Sequence, residues 1–240
     1  MNRAESPELH SGRGLALCGI LLFGVLGISG CTAVSGSGPT TLVRVIDAAY
    51  NSQAVDAYVG STPIAVNVGA PSISNYAFLP PGAATIKIVP AGKNTVLSQL
   101  SGTLLSRDQH TVYITGQGAT IQSSLLMDAN LPAPAGNFSV RFLQAAVSTG
   151  AVDIYFVPDG TKIVDAKPVL SGLAAGTVTV YTNIPVGTYD LIVVPAGTVK
   201  NAYTSAATTF SAGQVRTMLI VDQQLLNNPP VNVLVANDVD

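Results

Sequence analysis

The chain has 240 residues, of which 11 are Lys or Arg, 13 are Asp or Glu and 2 are His, giving a net charge of −2. That balance lacks the basic footprint of a nucleic-acid binder, and 48% hydrophobic residues at so small a net charge is unlike a disordered chain. One apolar run alone approaches spanning length, which argues against a polytopic membrane protein.

That run, Leu15 to Ile28, is the first element. Arg3 and Arg13 precede it and Ser29-Gly30-Cys31 follow, the order of an export signal. Ile28, Ser29, Gly30 and Cys31 together resemble the bacterial lipobox, an aliphatic and two small residues before a cysteine. The resemblance implies a signal peptide over residues 1–30 and a lipid on the Cys31 thiol, which would anchor the chain in a membrane. Thr32, by the same resemblance, permits sorting to the outer membrane of a Gram-negative cell. The competing reading is a plain membrane helix from Leu15 to Val34, at about 20 residues long enough to span. Residues 31–41 carry no charge and are rich in Thr, Ser and Gly, the composition of a flexible tether. Cys18 falls inside the signal and Cys31 is acylated on this reading. No thiol is then left for a disulfide, a nucleophile or a zinc site.

The rest of the chain repeats itself. Val43-Arg44-Val45 lies over Val140-Arg141-Phe142, and Ala54-Val55-Asp56 over Ala151-Val152-Asp153. Val89-Pro90-Ala91-Gly92 then matches Val194-Pro195-Ala196-Gly197 at a larger offset, so the second copy holds an insertion, placed near Pro158 to Gly176. This divides the chain into a first repeat over 42–128, a Pro-rich linker over 129–137 and a second repeat over 138–240. Alternating polar and apolar residues, as in Thr85-Ile86-Lys87-Ile88, predict strands. In chain order they fall near 42–48, 55–59, 64–68, 73–79, 84–90, 96–104, 110–116 and 121–127. The second repeat has them near 139–145, 152–157, 177–183, 188–194, 204–210, 215–221 and 230–236. Pro and Gly punctuate the strands, and Asp159-Gly160 reads as a hairpin turn. The fold class is all-β: two tandem immunoglobulin-like or Greek-key β-sandwich domains after the N-terminal signal segment.

At this point the motifs resemble a bacterial envelope domain, domain-of-unknown-function family 4397. The first repeat carries Val43-Arg44-Val45, Ala54-Val55-Asp56-Ala57-Tyr58 and Ile86-Lys87-Ile88-Val89-Pro90-Ala91-Gly92. The second carries Val140-Arg141-Phe142, Ala151-Val152-Asp153-Ile154-Tyr155 and Val194-Pro195-Ala196-Gly197. The resemblance implies a β-sandwich surface protein and no particular activity.

Candidate chemistry is sparse. His110 is the one histidine after the signal, predicted on a strand beside Asp108, and Val215 takes its place at the matching offset. An acid/base or metal role is set against that of an exposed strand residue, and a lone imidazole is poor metal equipment, so no metal or cofactor is expected. Arg44 with Asp56, and Arg141 with Asp153, recur at the same spacing. They read as a cross-strand pair or a loop-capping carboxylate, against an acidic ligand site. Tyr50, Tyr76, Tyr181, Tyr189 and Tyr203 are candidates for a glycan-stacking platform. The expected role is non-catalytic: binding, adhesion or structure in the cell envelope. Partners would be the membrane, through Cys31, and an envelope polysaccharide or protein ligand, for which two tandem copies would give avidity. The alternative is a hydrolase or an accessory subunit of an envelope enzyme. The groove between the repeats, around the linker, is where a site is sought.

Overall fold

The computed structural model describes residues 38–158, 160–223 and 230–240. The signal peptide expected over 1–30, with Ile28, Ser29 and Gly30 of its lipobox, lies outside the described residues. So do Cys31, most of the tether, and Asp159 of the expected turn.

Each repeat forms a sandwich of two sheets. In sandwich 1 the inner sheet holds β1 (Thr41–Asp47), β4 (Ser72–Ile73), β5 (Ala77–Leu79), β8 (Gln109–Thr115) and β9 (Gln122–Asp128). Its order is β4-β1-β8-β9, with β5 also paired to β1. The outer sheet holds β2 (Val55–Val59), β3 (Thr62–Val68), β6 (Gly82–Pro90) and β7 (Ser98–Leu104), in the order β3-β2-β6-β7. Sandwich 2 repeats the plan. Its inner sheet is β13-β10-β17-β18, built from β10 (Asn137–Gln144), β13 (Thr182–Pro185), β17 (Val215–Asp222) and β18 (Val231–Val239). Its outer sheet is β12-β11-β14-β15, from β11 (Val152–Pro158), β12 (Leu170–Leu173), β14 (Gly187–Pro195) and β15 (Tyr203–Thr204), with β16 (Thr208–Phe210) also on β14. In both, the first strand runs parallel to the penultimate one, β1 with β8 and β10 with β17, so residues far apart in sequence become neighbours.

Strand parity sorts the side chains. On β1, Val43 and Val45 enter the core of sandwich 1, along with Ile86, Ile88, Val112 and Ile114. On β10, Val140 and Phe142 enter the core of sandwich 2 with Val193, Met218 and Ile220. The alternate residues, Ile46 and Leu143, face the other way. They meet Ala48, Tyr113, Ala145, Leu219 and Val221 in a third apolar cluster drawn from both inner sheets. The two sandwiches are therefore docked inner face to inner face, and Ser37–Asp240 is one compact unit. A flexible tandem is thereby set aside: side chains whose alternation faces them away from their own core bury themselves against the other repeat.

No strand is expected from the sequence in the insertion of the second repeat. It contains a 3-10 turn, Ile163–Asp165, and the strand β12. Ile163 and Ala166 pack over Tyr155, Val157, Ile192 and Val194 on the outward side of the outer sheet. The strand predicted near 177–183 is displaced to Thr182–Pro185, and Val178 makes only an isolated bridge to Leu143.

Candidate functional site

The seam between the inner sheets has a charged centre. Arg44 on β1 reaches across to Asp238 on β18, and Arg141 on β10 reaches back to Asp128 at the end of β9. Arg44 also lies 3.4 Å from Asp128. The supporting bonds come in matched pairs. The Arg44 Nε donates to Thr111 Oγ1 at 2.9 Å, and the Arg141 Nε to Thr217 Oγ1 at 2.9 Å. Thr111 donates to Asp128 and Thr217 to Asp238, each at 2.6 Å. Tyr76 donates to Asp128 at 2.6 Å and Tyr181 to Asp238 at 2.9 Å. The guanidiniums lie over the rings of the same tyrosines, Arg44 4.7 Å from the Tyr76 centroid and Arg141 5.0 Å from that of Tyr181. All four charged residues are buried.

Burial alone would lower the Arg44 pKa; the carboxylates of Asp128 and Asp238 outweigh it and hold the guanidinium above its ordinary value. Burial first, then the charge on Asp128, pushes the Tyr76 hydroxyl far up, so it serves as a donor. The cluster is balanced in charge, with its four charged side chains buried and Arg44 and Tyr76 lining a cavity at its edge. Its chemistry is to hold the repeats together.

The predicted pairing of Arg44 with Asp56, and of Arg141 with Asp153, is corrected. The arginines lie on inner sheets and the aspartates on outer ones. Asp56 accepts the backbone N–H groups of Asn67 at 2.7 Å and Gly92 at 2.9 Å. Asp153 accepts those of Gly172 at 2.7 Å and Gly197 at 2.9 Å. All four donors sit at positive φ, so each carboxylate pins two left-handed turns, the loop-capping role in a longer-range form. His110 is buried, not exposed, and its Nε2 accepts the N–H of Leu105 at 3.2 Å. Burial lowers its pKa against the pull of Asp128 and Asp108. Strand register also places Arg216, not Val215, at its position in sandwich 2. Of the five tyrosines, Tyr76 and Tyr181 serve the central cluster, and Tyr189 and Tyr203 pack on the core of sandwich 2. No common platform forms.

Sequence reasoning missed Asp128 and Asp238. Asp128 stood at the edge of the linker, and the two arginines had nearer carboxylates to claim. Strand register matches Thr111 with Thr217, but at the offset of the sequence repeat Thr111 falls on Arg216, so the repeat read along the chain did not bring the two threonines and two aspartates into correspondence.

A groove of about 380 Å³ opens along the seam. It is not at the linker. Sandwich 1 contributes Tyr50, Tyr113, Thr115, Gln117, Gln122, Ser123 and Ser124, and sandwich 2 contributes Gln144, Ala145, Val147 and Val178. Gly116, at φ +94°, makes the turn out of β8 that shapes its wall, and a Cβ there would lie 2.2 Å from the Thr120 carbonyl oxygen. Among the described residues, the lining holds no carboxylate, amine, guanidinium or imidazole. Gln144 is committed to the chain, its Oε1 accepting the N–H of Ala146 and its Nε2 donating to the Gly150 carbonyl, both at 2.8 Å. The matching residue of sandwich 1 is Asp47, whose Oδ1 accepts the N–H of Ala49 at 2.9 Å while its Oδ2 is buried without a partner. Burial pushes the Asp47 carboxyl up to about 6, against the opposing effect of the Ala49 bond.

Residues 41–155 match the model of the domain of unknown function DUF4397. The match covers sandwich 1, the linker and sandwich 2 as far as Tyr155 in β11. No curated protein matches the chain. Among solved structures, the Bacillus anthracis TIE protein is similar at 10% identity and a TM-score of 0.25, over 76% of this chain and 34% of that one. This chain thus spans about a third of that protein's length. A family CBM26 module of Eubacterium rectale Amy13K, crystallised with maltoheptaose, is similar at 8% identity and a TM-score of 0.26, over 84% of this chain and 98% of the module. The fimbrial anchor protein Mfa2 of Porphyromonas gingivalis is similar at 9% identity and a TM-score of 0.19, over 83% of this chain and 97% of that one. Overlaps this slight carry no argument about what this chain binds.

Proposed function

We propose that the chain is a non-catalytic envelope lipoprotein, anchored through Cys31, whose docked sandwiches act as one binding body. It sits on the outer membrane if the cell is Gram-negative, and its ligand is an envelope polysaccharide or protein. The observation that carries the reading is the contrast along one seam. The charged groups are buried and balanced at its centre, while the described lining of the groove beside them offers hydroxyls, amides and tyrosines without a carboxylate, amine or imidazole. That equipment suits recognition rather than bond cleavage.

Two measurements test it. Mass spectrometry of the mature N-terminus is expected to find an acylated Cys31, and Cys31→Ala to move the protein out of the membrane fraction. Retention of residues 1–30, with the variant still in the membrane, would overturn the anchor. Isolated envelope fragments are expected to retain the full chain. Failure to do so would sink the binding role.

A further inference from the structure

We infer that the seam groove takes an uncharged, polyhydroxylated ligand, a short run of neutral sugar rings. The inference rests on the binding role proposed above and names its ligand class. Its main support is an asymmetry. The seam is nearly two-fold symmetric, and the residues at its centre are identical in the two repeats. Beside the groove the symmetry fails in one direction only. Strand register sets Tyr113 against Leu219 and Ser124 against Leu234. Sandwich 2 shows that this packing tolerates apolar residues at those places, so docking does not explain the polar ones in sandwich 1.

A second observation points the same way. The Tyr113 hydroxyl is buried and has no hydrogen-bond partner. Buried polar groups are seldom left unpaired, and this one belongs to a residue in the wall of the groove. Gln122 and Ser124 at the rim make no side-chain hydrogen bond among the described residues, and both are exposed. Amide and hydroxyl groups both donate and accept, which matches a ring of sugar hydroxyls. Tyr50 offers an aromatic body with a polar tip, and Val147 and Val178 offer an apolar strip for the C–H face of a ring. The volume sits at the lower end of the usual range for small-molecule sites, roughly 300–1,000 Å³. An anionic ligand would find no cation in the lining, and a metal ion no carboxylate.

The test uses the full acylated chain in detergent micelles against immobilised oligosaccharides. Neutral hexose, pentose and N-acetylhexosamine oligomers are set beside uronic-acid and sulfated ones. At least one neutral oligomer is expected to bind, with its acidic counterpart about tenfold weaker or worse. Ser124→Trp, which fills the groove from an exposed position, and Gln122→Ala are each expected to weaken binding by about tenfold or more with the thermal midpoint unchanged. Binding confined to acidic oligomers, or a neutral oligomer held equally by Ser124→Trp, would overturn the assignment. If envelope fragments retain parent and Ser124→Trp equally while no neutral oligomer binds, the groove falls and the binding role stands. If nothing is retained, both fall.

Discussion

Sandwich 1 fills its interior with Val, Ile, Leu and Ala, whereas sandwich 2 brings in Phe138, Phe142, Phe156 and Phe210. The rings of Phe138 and Phe210 stack at 4.3 Å, and Phe156 meets Phe138 edge-on at 5.5 Å. Outward the repeats diverge further. Sandwich 2 covers its outer sheet with the insertion, while sandwich 1 exposes the corresponding side, with Tyr58 and Lys87 half-buried. Inward they converge: the Arg, Thr, Tyr and Asp of the central cluster are the same residue in both. The difference teaches where constraint lies. A core is answerable only to its own volume and tolerates many apolar fillings. A two-fold seam is answerable to a partner that is nearly its own copy, so each residue works twice.

The comparison is broken most directly at the cluster. Arg44→Ala and Arg141→Ala each strand a buried carboxylate, and each is expected to lower stability by about 3–5 kcal/mol in chemical denaturation. A loss under 1 kcal/mol for either would show that the pairs are not shared across the seam. A double-mutant cycle sharpens the point, with coupling expected for Arg44 and Asp238 and none for Arg44 and Asp56.

The next effect has the opposite sign. The Asp47 carboxyl is raised to about 6 from 3.8 on burial, so the folded state holds its proton more tightly than the unfolded one. Its contribution is whole below the unfolded pKa of 3.8 and is lost as pH rises through about 6. Asp47→Asn brings in a neutral amide like that of Gln144. The variant is expected to be more stable than the parent above pH 6, by up to about 3 kcal/mol, with the gap closing toward pH 4. Denaturation midpoints that differ equally at both pH values would refute this.

Smaller still are the turn-pinning carboxylates. Asp56→Ala and Asp153→Ala should each cost about 2 kcal/mol, and the two losses should agree because both carboxylates hold a pair of amides in the same way. Unequal losses would mean that Asn67 and Gly172, the residues at one amide in each pair, set the cost. Least of all is Asp240→Asn, which removes an exposed partner of Arg216. It should change stability by less than about 1 kcal/mol.

Much of this fold was legible because strand alternation and turn residues are local signals. β2 was expected at 55–59 and is observed at Val55–Val59. β12 was not legible: Leu-Ser-Gly-Leu is short, and Gly172 at φ +64° interrupts its pattern. The seam was half legible. The recurrence of Arg44 and Arg141 in the two repeats marked both residues, but not what they meet. Asp238 is 194 residues from Arg44, and spacing along the chain cannot weigh that carboxylate against the nearer Asp56. The groove was sought at the linker and lies elsewhere on the same seam, because it depends on side chains of two sheets that only docking brings together.

The crossed arginines also bear on how such a chain can grow. A head-to-tail contact leaves an open face at each end, and units can be added without limit. Here each repeat spends its inner face on the other, and the contact closes on itself. Among the described residues, a third copy of the same unit would find both seam aspartates engaged and both inner sheets covered. Duplication of this domain in this arrangement therefore yields a closed pair rather than a row of single beads on a string.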